Sequence, residues 1–134
     1  MKKVMVFGVF DGIHDGHRAL LKQAKDLDNY LIVVVAPDHI VNELKGHSPR
    51  HDLVKRCSEV DSITGVDEVL VGDKHNGTWE VVKKHQPDVI ALGYDQTALR
   101  ANLELHLDEF CSKPAIVVLD AYKPSELHSS LINK

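Results

Sequence analysis

Residues 4–17 have the sequence Val-Met-Val-Phe-Gly-Val-Phe-Asp-Gly-Ile-His-Asp-Gly-His, which largely determines the architecture that we expect. An unbroken apolar run leads into a loop with glycines at positions 8, 12 and 16, and a helix is expected to begin near Gly16. Parallel strands have such unbroken runs because helices cover both faces of their sheet. The stretch therefore predicts a strand, a glycine-rich loop and a helix in that order.

Further apolar runs follow along the chain, and most of their residues are β-branched. Together with the first run they are Val4–Phe7, Leu31–Val35, Val69–Val71, Val89–Leu92 and Ala115–Leu119. The intervening segments are long enough for right-handed helical crossovers and carry helical patterns, including a leucine stripe over residues 98–110. The predicted order is β-α-β-α-α-β-α-β-α-β-α, with the last helix opening at Pro124. The fold class is therefore α/β, a Rossmann-like open sandwich with about five parallel strands and helices on both faces.

The composition favours a single domain spanning residues 1–134, since domains usually hold about 100–200 residues. Hydrophobic residues make up 43% and charged residues 27%, which excludes wholesale disorder. A net charge of -4 disfavours non-specific nucleic-acid binding, and no apolar run approaches the ~20 residues that span a bilayer. Cys57 and Cys111 cannot form a disulfide framework, and the start of the sequence lacks signal-peptide features. We therefore expect a cytoplasmic protein with no nucleic-acid or membrane partner.

The loop after the first strand is the expected site of chemistry, because ligands bind beyond the carboxyl ends of strands in open α/β sheets. Its glycines let the backbone approach a ligand closely, and the free N–H groups of the following helix favour an anion. His14 and His17 can donate hydrogen bonds to phosphate oxygens. The spacing matches neither a dinucleotide fingerprint nor a Walker P-loop. From spacing alone, the alternatives are that the two histidines are solvated surface residues or metal ligands.

The stretch from Gly8 to His17 resembles the G-x-F-D-x-x-H-x-G-H signature of the nucleotidyltransferase superfamily, in particular its small cytidylyltransferase-like enzymes. Three further motifs resemble that family in the same order: Arg56 with Val66-Asp67 in Arg-x₉-Val-Asp, Leu92-Gly93-Tyr94-Asp95-Gln96, and Leu127-His128-Ser129-Ser130-Leu131-Ile132. Together they cover nearly the whole chain. Two residues depart from the pattern: Asp15, whose side chain we expect to point to solvent, and His128.

The resemblance implies nucleotidyl transfer, in which a substrate phosphate attacks the α-phosphate of a nucleoside triphosphate and pyrophosphate leaves. It implies catalytic roles for His14, His17 and Arg56, the arginine contacting the β- and γ-phosphates. The nucleotide-binding residues that it implies are Gly8, Val9, Phe10, Asp11, Gly12, Gly16, Lys22, Lys45, Gly93, Tyr94, Asp95, Ser129 and Ser130. Mg²⁺ is expected with the triphosphate and held by its phosphates, with no metal site in the protein.

The substrates remain alternatives at this point. The Leu92–Gln96 run and Ser129–Ser130 favour similarity to archaeal-type FAD synthases, which use ATP and FMN. The alternative is similarity to glycerol-3-phosphate cytidylyltransferase, which uses CTP and glycerol 3-phosphate. Asp15 and His128 instead favour a nucleotide-binding regulatory module without turnover. The related small transferases make a homodimer the default.

Two expectations concern the middle of the chain. The segment 45–51 is polar and contains glycine and proline, so we expect a mobile loop there. Arg56 has an alternative to phosphate binding, because it could form an ion pair with Glu59 or Asp52 on its own helix.

Overall fold

Strands and helices alternate along the computed structural model, which describes residues 2–13, 15–25, 29–74, 78–93, 96–111 and 113–119. The strands are β1 (Lys2–Gly8), β2 (Asn29–Val35), β3 (Glu68–Val71), β4 (Val89–Gly93) and β5 (Ala115–Leu119). The helices are α1 (Asp15–Lys25), α2 (Asp38–Lys45), α3 (Leu53–Asp61), α4 (Glu80–His85) and α5 (Thr97–His106), and a 3₁₀ turn over Leu107–Glu109 follows α5.

The strands form one parallel sheet in the order β3-β2-β1-β4-β5. β1 pairs with β2 along its whole length and with β4 on its other side. β2 and β3 follow one another on one side of β1, and β4 and β5 follow one another on its other side. This reversal places a crevice between the carboxyl ends of β1 and β4, where α/β sheets bind ligands. The predicted α/β fold is confirmed.

Helices cover both faces of the sheet, which explains why its strands do not alternate between apolar and polar residues. Val4 and Val6 of β1 face one core, which includes Leu21 of α1 and Val60 of α3. Met5 faces the other core, whose members include Val82 of α4 and Leu103 of α5.

Most predicted elements lie within one or two residues of the observed ones, and α1 begins at Asp15 rather than Gly16. The helix predicted over residues 98–110 is shorter, because α5 ends at His106 and the chain tightens into the 3₁₀ turn. Phe110 then adopts an extended backbone and is fully buried, which closes the apolar stripe without further α-helix. The predicted helix at Pro124 lies outside the described residues. No helix in the described ranges is long and apolar enough to span a bilayer.

Candidate nucleotide site

Three chain segments converge at the carboxyl edge of the sheet. The loop after β1 is fixed to the end of β2 by a hydrogen bond from Ala36 N to Gly8 O at 3.0 Å. The end of β4 at Gly93 borders the same crevice from the opposite side of β1. The sequence-predicted loop therefore lies at the switch in strand order, where a nucleotide can reach backbone groups from two neighbouring strands.

Phe10 shapes the first part of the loop. It has a left-handed backbone with φ 54°, which is costly for a residue with a large side chain, and it is 2% exposed. Its ring lies on Gly8, where a Cβ atom would come within 2.7 Å of the ring. On the other side, the ring centroid of His17 is 5.2 Å from that of Phe10. Phe10 therefore acts as a buried support for the His17 imidazole.

The N-terminus of α1 follows directly, with Gly16 and His17 in its first turn. The N–H groups and positive dipole end of the helix favour a phosphate at this position. The side chain of Asp15 is 75% exposed and lies 3.6 Å from Arg18, so its negative charge points to solvent. This outcome confirms the expectation for Asp15, and removes the repulsion that its carboxylate would otherwise exert on a bound phosphate.

The Asp11 carboxylate binds the backbone of a distant segment, and its contact with a nucleotide stays a prediction. Its carboxylate oxygens accept hydrogen bonds from the backbone amides of Arg50 at 2.7 Å and His51 at 2.9 Å. The hydrogen bond from Arg50 is the main cause that lowers the pKa of Asp11, against a smaller opposing effect of desolvation. Both oxygens face the protein, and they attach the end of the segment 45–51 to the loop. A segment expected to be mobile is thus anchored at its C-terminal end.

The Arg56 side chain connects several segments of the protein. Its side chain is fully buried, and its donors reach the carbonyl oxygens of His51 (3.0 Å), Val9 (2.9 Å) and Ala36 (2.8 Å) and the Oδ1 atom of Asp38 (2.6 Å). These bonds occupy four of the five N–H donors of a guanidinium. Arg56 therefore joins the segments around the site, and its contact with the β- and γ-phosphates stays a prediction. The alternative ion pairs within its own helix are absent from the described residues, since its acidic partner is Asp38 of α2.

The two lysines predicted to bind the nucleotide lie near the C-terminal ends of their helices. Lys22 is exposed in the last turn of α1, about 9 Å along the helix axis from Gly16. It is at the wrong end of α1 to share a phosphate with the helix N-terminus. Lys45 is the exposed last residue of α2, where Gly46 ends the helix in a left-handed conformation.

Gln96 is a site residue that sequence reasoning did not single out. Its side-chain oxygen accepts from Gly93 N at 2.8 Å, and its amide nitrogen donates to Phe7 O at 3.0 Å. One side chain therefore connects the carboxyl ends of β4 and β1 across the crevice. Its position in the Leu92–Gln96 motif indicated that it lies near the site. The sequence alone does not show that its side chain reaches back to β1.

An apolar cavity of about 200 Å³ adjoins the loop on the side of α2, α4 and α5. Its lining includes Gly8 and Val9 of the loop, together with Ile40, Leu44, Trp79 and Leu99. Trp79 is the chain's single tryptophan, and its ring packs edge-on against Phe7 with centroids 5.5 Å apart. Its Nε1 atom donates to Asn102 Oδ1 at 2.7 Å, so the indole is held in place. The sequence analysis did not predict this cavity.

Asp73 lies on the polar side of this cavity, and its carboxylate is already occupied. It accepts hydrogen bonds from Thr78 Oγ1 and from the backbone amides of Glu80 and Val81, at 2.7–2.9 Å. These bonds satisfy free N–H groups at the start of α4. The cavity therefore presents mainly apolar surface to a ligand.

Several predicted site residues fall outside the described ranges: His14, Tyr94, Asp95, Ser129 and Ser130. Asp67, which completes the motif that begins at Arg56, is described and is structural. Its Oδ2 atom accepts from Lys25 Nζ at 2.7 Å and from Leu31 N at 2.8 Å, and so joins α1 to β2. Among the described residues, no group of three or more His, Cys, Asp or Glu side chains could hold a metal ion.

A match to a known protein family decides which family this chain belongs to. Residues 5–133 match the family described as cytidylyltransferase-like. The chain belongs to the cytidylyltransferase-like family. The family match spans the glycine-rich loop after β1, helix α3 with Arg56, and β4.

Similar proteins include FAD synthases of archaea. The cytidylyltransferase-like chain is 44% identical to the FAD synthase of Thermococcus sibiricus over 94 residues, which are 70% of this chain and 64% of that protein. It is 38% identical to the FAD synthase of Ferroglobus placidus over 132 residues, covering 97% of this chain and 84% of that protein. The chain thus spans about two thirds of the first relative and most of the second.

Solved structures show the same architecture. The lipopolysaccharide core biosynthesis protein of Thermoplasma volcanium superposes with a TM-score of 0.84 at 33% identity, covering 92% of this chain and 99% of that protein. The pantothenate synthetase of Thermus thermophilus superposes with a TM-score of 0.62 at 14% identity, covering 94% of this chain and 58% of that protein. The second likeness concerns the fold alone.

Proposed function

We propose that this chain is an FAD synthase-like nucleotidyltransferase, which transfers AMP from ATP to the phosphate of FMN and releases pyrophosphate. The observation that carries the proposal is the similarity to the Ferroglobus placidus FAD synthase along 97% of the chain. The position of the glycine loop at the switch in strand order supports it, because this is where the fold binds a nucleotide.

The reaction requires the protein to position the substrates and to stabilise negative charge. An oxygen of the FMN phosphate forms a bond to the α-phosphorus of ATP, and the bond from that phosphorus to the bridging oxygen breaks. The electron pair leaves with pyrophosphate, and no general base is needed because the attacking phosphate is ionised at neutral pH. Catalysis then depends on position and on stabilising charge. His17 and the N-terminus of α1 would supply donors to the α-phosphate.

Mg²⁺ would reach this site with the triphosphate. Such ions usually keep several waters and bind through phosphates, and would neutralise charge on the phosphate chain. The protein's own part is to orient the nucleotide with the Gly8–Gly12 loop, the first turn of α1 and the end of β4.

The apolar cavity supports FMN as acceptor. Gly8, Val9 and Trp79 all line this cavity, so an acceptor bound there would place its phosphate at the loop and an apolar ring edge beside Trp79. The dimethylbenzene edge of the flavin has this character, whereas glycerol 3-phosphate has no apolar group to bury. Each Å² of apolar surface that binding removes from water stabilises the complex by about 25 cal/mol, which favours the flavin over glycerol 3-phosphate.

One observation favours a second candidate acceptor. The structural relative from Thermoplasma volcanium is described as a lipopolysaccharide core biosynthesis protein, and it is 33% identical to this chain. Sugar phosphates are therefore included as acceptors in the test, although the apolar cavity wall does not favour a polyhydroxyl compound.

The test is a pyrophosphate-release assay with ATP or CTP and Mg²⁺, each combined with FMN, glycerol 3-phosphate and a panel of sugar phosphates. We expect release with ATP and FMN. Release only with CTP and glycerol 3-phosphate, or only with a sugar phosphate, would replace the proposed substrates. Nucleotide binding without release for any pair would favour a regulatory module.

A matched pair of variants tests the acceptor cavity. Leu44 lines the cavity and is 58% exposed, whereas Leu105 on α5 is 82% exposed and lies outside the cavity lining. Leu44→Asp should raise the KM for FMN while the KM for ATP is unchanged, and Leu105→Asp should change neither. A selective rise in the KM for ATP would assign the cavity to the adenine ring instead.

We also propose a homodimer located in the cytoplasm, as the family resemblance and composition lead us to expect. Light scattering on the eluted peak of a sizing column tests the first point. A measured mass of 15.0 kDa, that of the monomer, would overturn it.

A further inference from the structure

We propose that Arg50, rather than Arg56, is the arginine that contacts the triphosphate of the bound nucleotide. This inference rests on the proposed function, since it requires a nucleotide at the glycine loop. It adds a binding residue that the sequence motifs did not indicate. It also reassigns the cationic contact from a buried side chain to an exposed one six residues earlier in the chain.

The first argument is the position of the Arg50 side chain. A Cβ atom built on Gly12 would lie 3.0 Å from Nη2 of Arg50, so the guanidinium lies directly against the loop. Gly12 has φ +89°, a left-handed conformation that favours glycine, and the absence of a Cβ atom leaves room for the guanidinium on this face of the backbone. The guanidinium therefore lies beside the loop that leads into the N-terminus of α1, where a phosphate is expected.

The second argument is that the protein fixes this position through the backbone. Asp11, one residue before Gly12, holds the amides of Arg50 and His51 with both carboxylate oxygens. Arg56 holds the carbonyl of His51 from the opposite side at 3.0 Å. Because the anchoring atoms belong to the backbone, they leave the Arg50 side chain free to meet a ligand.

The third argument is that the N–H donors of the Arg50 guanidinium are available to a ligand. Within the described residues, the Arg50 guanidinium donates no hydrogen bond and forms no ion pair, and the residue is exposed. Arg56, by contrast, is fully buried with an acidic partner in Asp38. A planar guanidinium can form two parallel hydrogen bonds to phosphate oxygens, which makes it well suited to a triphosphate.

The experiment measures MgATP affinity by isothermal titration calorimetry for the wild type, Arg50→Gln, Arg50→Lys and Arg100→Gln. Arg100 is a matched control, because it lies on α5, is 49% exposed, and loses the same charge on substitution. Arg50→Gln keeps the backbone amide that Asp11 holds, so the loop anchor is retained. Unchanged thermal unfolding would verify this.

We expect Arg50→Gln to weaken MgATP binding roughly 10- to 100-fold, as the loss of hydrogen bonds to a charged group predicts. Arg50→Lys should be intermediate, and Arg100→Gln should match the wild type. In turnover, the KM for ATP should rise and the KM for FMN should not.

MgATP affinity of Arg50→Gln within twofold of the wild type would overturn the inference. Equal losses in Arg50→Gln and Arg100→Gln would also overturn it, because they would reflect net charge only. A selective rise in the KM for FMN would assign Arg50 to the acceptor instead. In each of these cases wild-type turnover with ATP and FMN leaves the proposed function intact, whereas a wild type that binds no MgATP overturns both.

Discussion

The guanidinium of Arg56 donates a hydrogen bond of 2.6 Å to the carboxylate of Asp38, although Arg56 is fully buried and the Asp38 side chain is 50% exposed. The pair connects α3 to the start of α2, and the other donors of Arg56 reach carbonyl oxygens after β1 and β2. Two of the three segments that converge at the crevice are therefore held by one arginine. We therefore expect Arg56 to contribute to activity by positioning the loop.

Arg56→Ala should destabilise the fold by about 3–5 kcal/mol, because it leaves carbonyl groups without donors and removes one member of a buried pair. Asp38→Asn should cost less, about 1–2 kcal/mol, since Asp38 is half exposed and the carbonyl contacts remain. Urea unfolding measures both. If Arg56→Ala unfolds like the wild type and loses only MgATP affinity, Arg56 is a phosphate ligand after all.

Gly8→Ala should destabilise the protein by about 1–3 kcal/mol, because the added methyl group would press on the Phe10 ring at 2.7 Å. Displacing Phe10 would also shift His17, so activity should fall more than stability. Gly72→Ala is the stability control, since its nearest neighbour would be an ordinary contact at 3.4 Å. Equal unfolding midpoints for the two variants would show that Phe10 is free to move.

Stability should decrease in acid as a group of carboxylates is protonated. Hydrogen bonds from Arg50 N, Lys25 and Lys83 are the main causes that lower the pKa values of Asp11, Asp67 and Glu109, respectively. A lowered pKa means that the folded state binds fewer protons than the unfolded state. The stabilisation is therefore complete above the ordinary carboxyl pKa of about 4 and is lost as pH falls below it.

Urea unfolding at pH 7, 5 and 3.5 tests this prediction, with Asp67→Asn as the informative variant. The wild type should lose stability mainly between pH 5 and pH 3.5, and the variant should lose less over the same interval. A wild-type midpoint that does not change with pH would contradict the pKa directions.

The two cysteines should differ in reactivity. Burial raises the pKa of the Cys57 thiol, whereas Cys111 is exposed. Since the thiolate is the nucleophile, iodoacetamide should alkylate Cys111 well before Cys57. Mass spectrometry of peptides over a time course measures both rates, and Cys111→Ser should remove the fast phase. Faster labelling of Cys57 would show that α3 opens readily.

The fold could be predicted from the sequence because strands buried on both faces leave unbroken apolar runs, and Val4–Phe7 is an example. The loop could be located because its glycines directly follow the first of these runs, at the strand end where an open α/β sheet binds its ligand. The roles of Arg56 and Asp11 could not be predicted, because their partners are backbone carbonyls and amides that the fold brings from distant positions. Arg50 was missed for the same reason, since its neighbour Gly12 is far away in sequence.

Formation of FAD from ATP and FMN, followed by chromatography of the reaction mixture, tests the central claim most directly. The wild type should form FAD and pyrophosphate in equal amounts. His17→Asn should fold normally and react roughly 10²- to 10³-fold more slowly, the usual loss when a transition-state donor is removed. No FAD from the wild type, or equal FAD formation by the two proteins, would contradict the account.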